Sequence, residues 1–230
     1  MSQTVASTSA TIGSTACEPT DRVTKSLLGY GVIAGPFYVA VALAQAVTRE
    51  GFDLARHQWS LLSNGSHGWI QIANFVVTGL MVIAFAVGLQ RALEPGRGAR
   101  WAPRLVVVYG AGLITAGIFR ADPALGFPVG APEQPATISW HGMLHFASGG
   151  IGFTCLAIAC FILGSRYSAE SRRGWTAFCR LTGAVFLAGF AMVASSGGNQ
   201  PANLAFVAAI ILVWTWMTCV AVDRYRRVSR

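Results

Sequence analysis

Charged side chains are scarce in this chain. Asp, Glu, Lys and Arg make up 11% of its 230 residues, against about 25% in an ordinary soluble domain. That shortage argues against a water-soluble core protein. Cysteine is sparse too: Cys17, Cys155, Cys160, Cys179 and Cys219 give an odd count with no C-x-x-C spacing. No disulfide framework follows from it, and the five read as small packing residues. No G-x-S-x-G elbow occurs, so the usual setting for a nucleophilic serine is missing. No internal repeat stands out, and only Pro36 interrupts an apolar stretch, whereas a transporter built from broken helices would show paired interruptions.

Apolar residues fill the gap, at 53% of the chain. A hydrocarbon core of about 30 Å needs roughly 20 mostly apolar residues per helix. Six stretches qualify: Leu27 to Val47, Trp69 to Leu93, Pro103 to Arg120, Trp140 to Leu163, Ala177 to Ser196 and Asn203 to Val222. The fold expected is an all-α integral membrane bundle of six transmembrane helices spanning 27–222, followed by a short basic tail, 223–230. Residues 1–26 are rich in Ser, Thr and Ala and read as a disordered tail, because they cannot bury enough surface to offset their ordering entropy. A cleaved signal ending near Ala42 to Ala44 is the competing reading, but the apolar run exceeds an h-region of roughly 7 to 15 residues.

The net charge of +8 matters less than where the cations lie. Arg22 and Lys25 precede the first span. Arg91, Arg97, Arg100 and Arg104 surround the second connection, Arg166, Arg172, Arg173 and Arg180 the fourth, and Arg224, Arg226, Arg227 and Arg230 the end, leaving Arg49, Arg56 and Arg120 for the other face. The positive-inside rule then expects both termini in the cytoplasm and the protein in the cytoplasmic (inner) membrane. Contact with anionic lipid heads accounts for the basic balance. Nucleic-acid binding is not expected, since no basic patch is interleaved with stacking aromatics. Trp59, Trp69 and Trp140 at the outer boundary, with Trp101 and Trp175 at the inner one, read as aromatic belts.

Polar residues inside the spans gather in the outer half. Gln71, Asn74 and Thr78 share one face of the second helix, and His141, His145, Ser148 and Gly152 form one stripe on the fourth. The segment Arg49 to Trp69 reads as an interfacial helix or a lid, and Asp122 to Ser139 as a Pro- and Gly-rich loop without regular structure. All four histidines, including His57 and His67, belong to this side.

Two chemistries suit these residues. A His-x-x-x-His pair, His141 and His145, has the spacing of two Zn²⁺ ligands, with His57 or Asp122 as third and Ser60 or Ser63 positioning water. The Glu of H-E-x-x-H is missing. Alternatively Ser60, Ser63 or Ser195 acts as nucleophile with His57 or His145 as base and Asp122 as orienter. Without either chemistry, the same pocket binds a lipid head group or small solute through Arg120, Gln71, Asn74 and Ser195. Arg120 and Asp122 have a plainer reading as an ion pair, with each other or with Glu133, that ends the third span before Pro123. The small-residue stripes also suit a structural subunit packed on another membrane protein or on a second copy.

The segments Gly35 to Leu80, ADPALGFPVGAP (Ala121 to Pro132) and SWHGMLH (Ser139 to His145) closely resemble the uncharacterised prokaryotic membrane family filed as domain of unknown function 998. That resemblance covers about Leu27 to Val222. Its hallmarks fall here on His57, Ser60, Ser63, Asp122, Pro123, Gly142 and His145, and Arg120 is not among them. It implies the six-helix class and brings no established activity. The chain is loosely similar to the alkaline ceramidase and adiponectin receptor superfamily of intramembrane metal hydrolases, which combine Ser, Asp and a His-x-x-x-His pair at one membrane face. Those proteins have seven helices and carry the pair on the last.

Overall fold

A computed structural model describes residues 19–134 and 137–228. Six long helices are present: α1 (Pro19–Thr48), α2 (Gly68–Leu93), α3 (Trp101–Ile118), α4 (Trp140–Ala169), α5 (Arg173–Ser195) and α6 (Gln200–Tyr225). Each is long and apolar enough to cross a membrane. Local chemistry fixes several starts. Ser139 Oγ accepts from the Gly142 N–H at the head of α4 (3.0 Å), and Asn199 Oδ1 accepts from the Ala202 N–H at the head of α6 (3.2 Å). These side chains satisfy donors that a first helical turn leaves unpaired.

Two boundaries differ from expectation. The tail assigned to 1–26 is already helical from Pro19, because Pro suits a first helical turn and Asp21 complements the positive helix end. The remainder of that assignment, with Cys17, lies outside the described residues. At the other end α6 runs through Asp223 to Tyr225, into the stretch read as tail.

The helices form a ring in chain order. Each packs on the one before and the one after, and α6 closes the ring against α1. With six spans, the start of α1 and the end of α6 share one end of the bundle with the α2–α3 and α4–α5 connections. Residues 49–67, 119–134, 137–139 and 196–199 cap the opposite end, called here the lid end. Glycines set the tightest seams. A Cβ on Gly79 would stand 2.6 Å from the Gly110 carbonyl oxygen, and one on Gly110 would stand 2.9 Å from that of Gly79. Only paired glycines let α2 and α3 approach so closely.

The lid is a folded unit laid across the bundle. Its short 3-10 turn, Trp59–Ser63, puts Trp59 and Leu62 inside rather than on a membrane surface. Trp59 is therefore core, not belt, whereas Trp69, Trp101 and Trp140 are each about 60% or more exposed. Arg49 donates to the carbonyls of Leu62 (2.9 Å) and Asn64 (2.6 Å), and its guanidinium lies 5.1 Å from the Phe127 ring centre. Asn64 donates to Ala121 O and Asn203, from α6, to Leu54 O. The long Pro- and Gly-rich loop contributes buried Phe127, which meets Phe52 edge-on.

Ion pairs lock the arginine-rich end. Asp223 accepts two hydrogen bonds from Arg172 (2.7 and 2.9 Å) and one from the Tyr167 hydroxyl (2.9 Å). Arg224 pairs with Glu170 and lies over the Tyr167 ring, which stacks on Trp175. Burial alone would raise the Glu170 pKa, but hydrogen bonds and charge from Arg224 and Arg166 outweigh it and hold the pKa below its ordinary value. The unfolded chain therefore takes up this proton first, so the pair's stabilisation is complete above the ordinary Glu pKa of about 4.3 and fades as pH falls toward the folded value. Melting in detergent should be flat from about pH 7 to 5 and drop below about pH 4.5, and Glu170→Gln should shallow that drop. An unchanged acid limb in the variant would refute this role.

Candidate functional site: a cavity beneath the lid

The ring encloses a cavity of about 550 Å³. That volume lies within the range of small-molecule sites. Its deep wall is aromatic, with contributions from Tyr38, Tyr109, Phe153, Phe186, Phe206 and Trp214. Phe153 is the hub, meeting Phe186, Phe190 and Phe206 edge-on at 5.1 to 5.8 Å between ring centres. The mouth is formed by exposed residues of the long loop and of the lid ends of α4 and α5: Glu133, Gln134, Ile138, Phe146, Ala194 and Gly197. Polar groups cluster toward this opening, where Gln58, Ser60, Asp122, His145 and Ser148 join the lining. The result is apolar below and polar above.

His145 is the residue that the sequence reading and the cavity share. Its Nδ1 lies 2.9 Å from Phe119 O and 3.2 Å from Ala116 O at the end of α3. Both are acceptors, so the hydrogen is assigned to Nδ1. The ring thereby caps carbonyls that the end of α3 leaves free. Its Nε2 has no hydrogen-bond partner among the described residues and is not among the fully buried unpartnered atoms, so it reaches open space. Ser148 and Gly152 follow on the same stripe and line the cavity.

His141 leaves that stripe. It is exposed, its ring lying 3.8 Å from Trp140 and 5.7 Å from Phe119 between centres. At the first turn of α4 no neighbouring helix covers it, and stacking on aromatics turns it away from the bundle. His57 is buried but spent: Nδ1 accepts from the Asp53 N–H (2.8 Å) and Nε2 donates to Leu125 O (2.9 Å). It ties the first lid loop to the second and has no lone pair left for a metal or a proton. Asp122 accepts from the Ser139 N–H (2.9 Å) and hydroxyl (2.5 Å) at the head of α4, and a Cβ on Gly142 would collide with it. Its carboxylate completes a helix cap. Among the described residues no three of His, Cys, Asp and Glu are grouped to hold a metal ion. The zinc ligands expected from sequence, His141, His145, His57 and Asp122, are therefore not grouped among the described residues.

No Ser–His–Asp chain of hydrogen bonds is present among the described residues either. Ser63 is fully buried and donates within its own turn, to Ser60 O (2.7 Å). Ser195 is exposed and bonds back to Ala191 O and Met192 O. The side-chain Ser–His hydrogen bond among the described residues joins neighbours Ser66 and His67 at the surface. Ser60 lines the cavity, and its hydroxyl makes no hydrogen bond to a histidine or carboxylate among the described residues.

The four residues assigned to ligand binding have other surroundings. Gln71 and Asn74 form a buried ladder between α1 and α2, where Gln45 donates to Gln71, Asn74 to Tyr38 O and Gln71, and Thr78 to Asn74. Inside hydrocarbon such bonds hold helices together. Arg120 is exposed and does not line the cavity, and Glu133 pairs with Arg56 instead. Sequence reasoning missed the aromatic wall, because Phe and Trp facing a cavity cannot be told from Phe and Trp facing lipid.

Searches of the curated proteins and of the solved structures returned no match. The family described as Protein of unknown function (DUF998) matches residues 32–223, a stretch that includes the whole cavity wall and the lid. With six apolar helices and that match, this multi-pass membrane protein belongs to the DUF998 family.

Proposed function

We propose that the protein binds an amphiphilic molecule, its apolar part among the aromatics below the lid and its polar end at the mouth. The observation that carries this reading is the polarity gradient of the cavity, from Trp214 and Phe153 at depth to His145 and Gln58 near the opening. Membrane lipids are the nearest source of such molecules. The mouth uses exposed Phe146 and Ile138, which suit entry from the acyl-chain boundary. The asymmetry of arginines supports a cytoplasmic membrane with both termini inside, which puts the lid and the mouth on the extracytoplasmic side.

Filling the cavity tests this. A Cβ on Gly149 meets only Phe153, at 3.9 Å, so Gly149→Phe adds a ring to the lining without forcing backbone apart. Displacing about three buried methylenes, at about 0.8 kcal/mol each, exceeds tenfold in affinity. Wild-type protein in detergent should retain a fluorescent single-chain lipid saturably, and Gly149→Phe should retain at least about tenfold less with unchanged helix content. Equal retention by the folded variant would sink the proposal.

A further inference from the structure

We infer that the polar end of the ligand is an uncharged hydroxyl, which donates a hydrogen bond to His145 Nε2. This rests on the cavity being the ligand site, and it follows from which groups at the mouth are still available.

Charges were considered first. No Lys or Arg lines the cavity among the described residues. Its two carboxylates, Asp122 and Glu133, would oppose an anionic head, and both are already held by protein groups. Asp122 is committed through both oxygens to Ser139 and the start of α4, and Glu133 is paired with Arg56. A charged head drawn into this throat would lose its hydration, a large loss in apolar surroundings; an anion would meet like charge, and a cation would have to share carboxylates already held by Ser139 and Arg56.

What remains is neutral: the Gln58 and Ser60 side chains and, fixed in place by the end of α3, the acceptor of His145. With its hydrogen on Nδ1 facing Phe119 O and Ala116 O, the neutral imidazole keeps a lone pair on Nε2. Ser148 does not compete, because its hydroxyl donates to His145 O (2.9 Å). Phe75 packs edge-on against the His145 ring, 6.3 Å between centres, and holds its plane. A fixed acceptor at the head of an aromatic cavity selects a molecule with one hydroxyl on an apolar body: a long-chain or prenyl alcohol, a sterol, or a glyceride.

The test uses the full-length protein in neutral nanodiscs and three probes sharing one diazirine-bearing tail: an alcohol, a sulfonate and a quaternary ammonium. Photolabelled peptides are then quantified by mass spectrometry. The expected result is saturable labelling of α4 and α5 by the alcohol, about tenfold or more above both charged probes. In His145→Phe, which keeps ring volume and removes both nitrogens, the alcohol should fall to the level of the others. Labelling by sulfonate or ammonium equal to the alcohol would overturn the hydroxyl inference and leave the cavity reading standing. A preference for the alcohol that survives His145→Phe would overturn His145 as the acceptor. No saturable labelling by any probe, with Gly149→Phe indistinguishable from wild type, would overturn the cavity reading itself. The wild-type probe series decides the charge question even if the His145 variant does not fold.

Discussion

Asp223→Ala should destabilise the protein by about 3 kcal/mol, the low end of the range for breaking a buried ion pair. The Asp223 side chain is 9% exposed and its carboxylate serves Arg172, Tyr167, Arg224 and Arg227 together. Removing it leaves the 4%-exposed Arg224 side chain beside Arg172 with Glu170 as the shared counter-charge. The Tyr167 hydroxyl loses its acceptor as well. Thermal melting in detergent, at neutral pH and fixed salt, measures the effect. Asp223→Asn, which keeps one acceptor oxygen, should lose less than Ala, and equal losses would show that charge rather than hydrogen bonding carries the site. A change under about 0.5 kcal/mol in Asp223→Ala would assign the network to the surface class of ion pairs.

Gly79→Leu should be of similar size, about 3 kcal/mol, with a marked drop in folded yield. The obstacle is backbone: the new Cβ would meet the Gly110 carbonyl oxygen at 2.6 Å and Ile114 at 2.7 Å. A side chain can rotate away from such contact and a helix carbonyl cannot, so α2 and α3 must part. The control is Gly29→Leu on α1, where a Cβ meets nothing within 4 Å. Gly29→Leu should leave melting unchanged. Equal melting of the two variants would refute the tight α2–α3 seam.

The architecture was legible because membrane physics writes it in long apolar runs. The six spans follow from length and hydropathy, and Gln71, Asn74 and Thr78 were rightly put on one face by their spacing. What that face meets was not legible. Periodicity gives a direction around one helix but not the neighbour, so a seam with α1 was read as a binding surface. His141 and His145 show the same limit within a single turn: four residues apart, one faces the end of α3 and the other faces out past Trp140. His57, Ser63 and Asp122 were chosen as chemically able groups, and in the fold their capacity is taken up by loop carbonyls, a turn and a helix cap. The arginines that sorted the topology also hid a network, since Arg172 and Arg224 find Asp223 and Glu170 only once the α4–α5 connection meets the end of α6.

The closure of the ring by α6 against α1 also has a temporal side. Neighbouring helices can pair as soon as each hairpin leaves the ribosome, but α1 lacks one flank until the last span arrives. Until then Tyr38 and Trp59 face a groove open to the surrounding bilayer, because Trp214, which lies 5.2 Å from Tyr38 between ring centres, has not yet been made. The chamber is therefore the final product of biogenesis, and a nascent chain halted before α6 would expose its aromatic lining sideways to any lipid or insertion factor at hand.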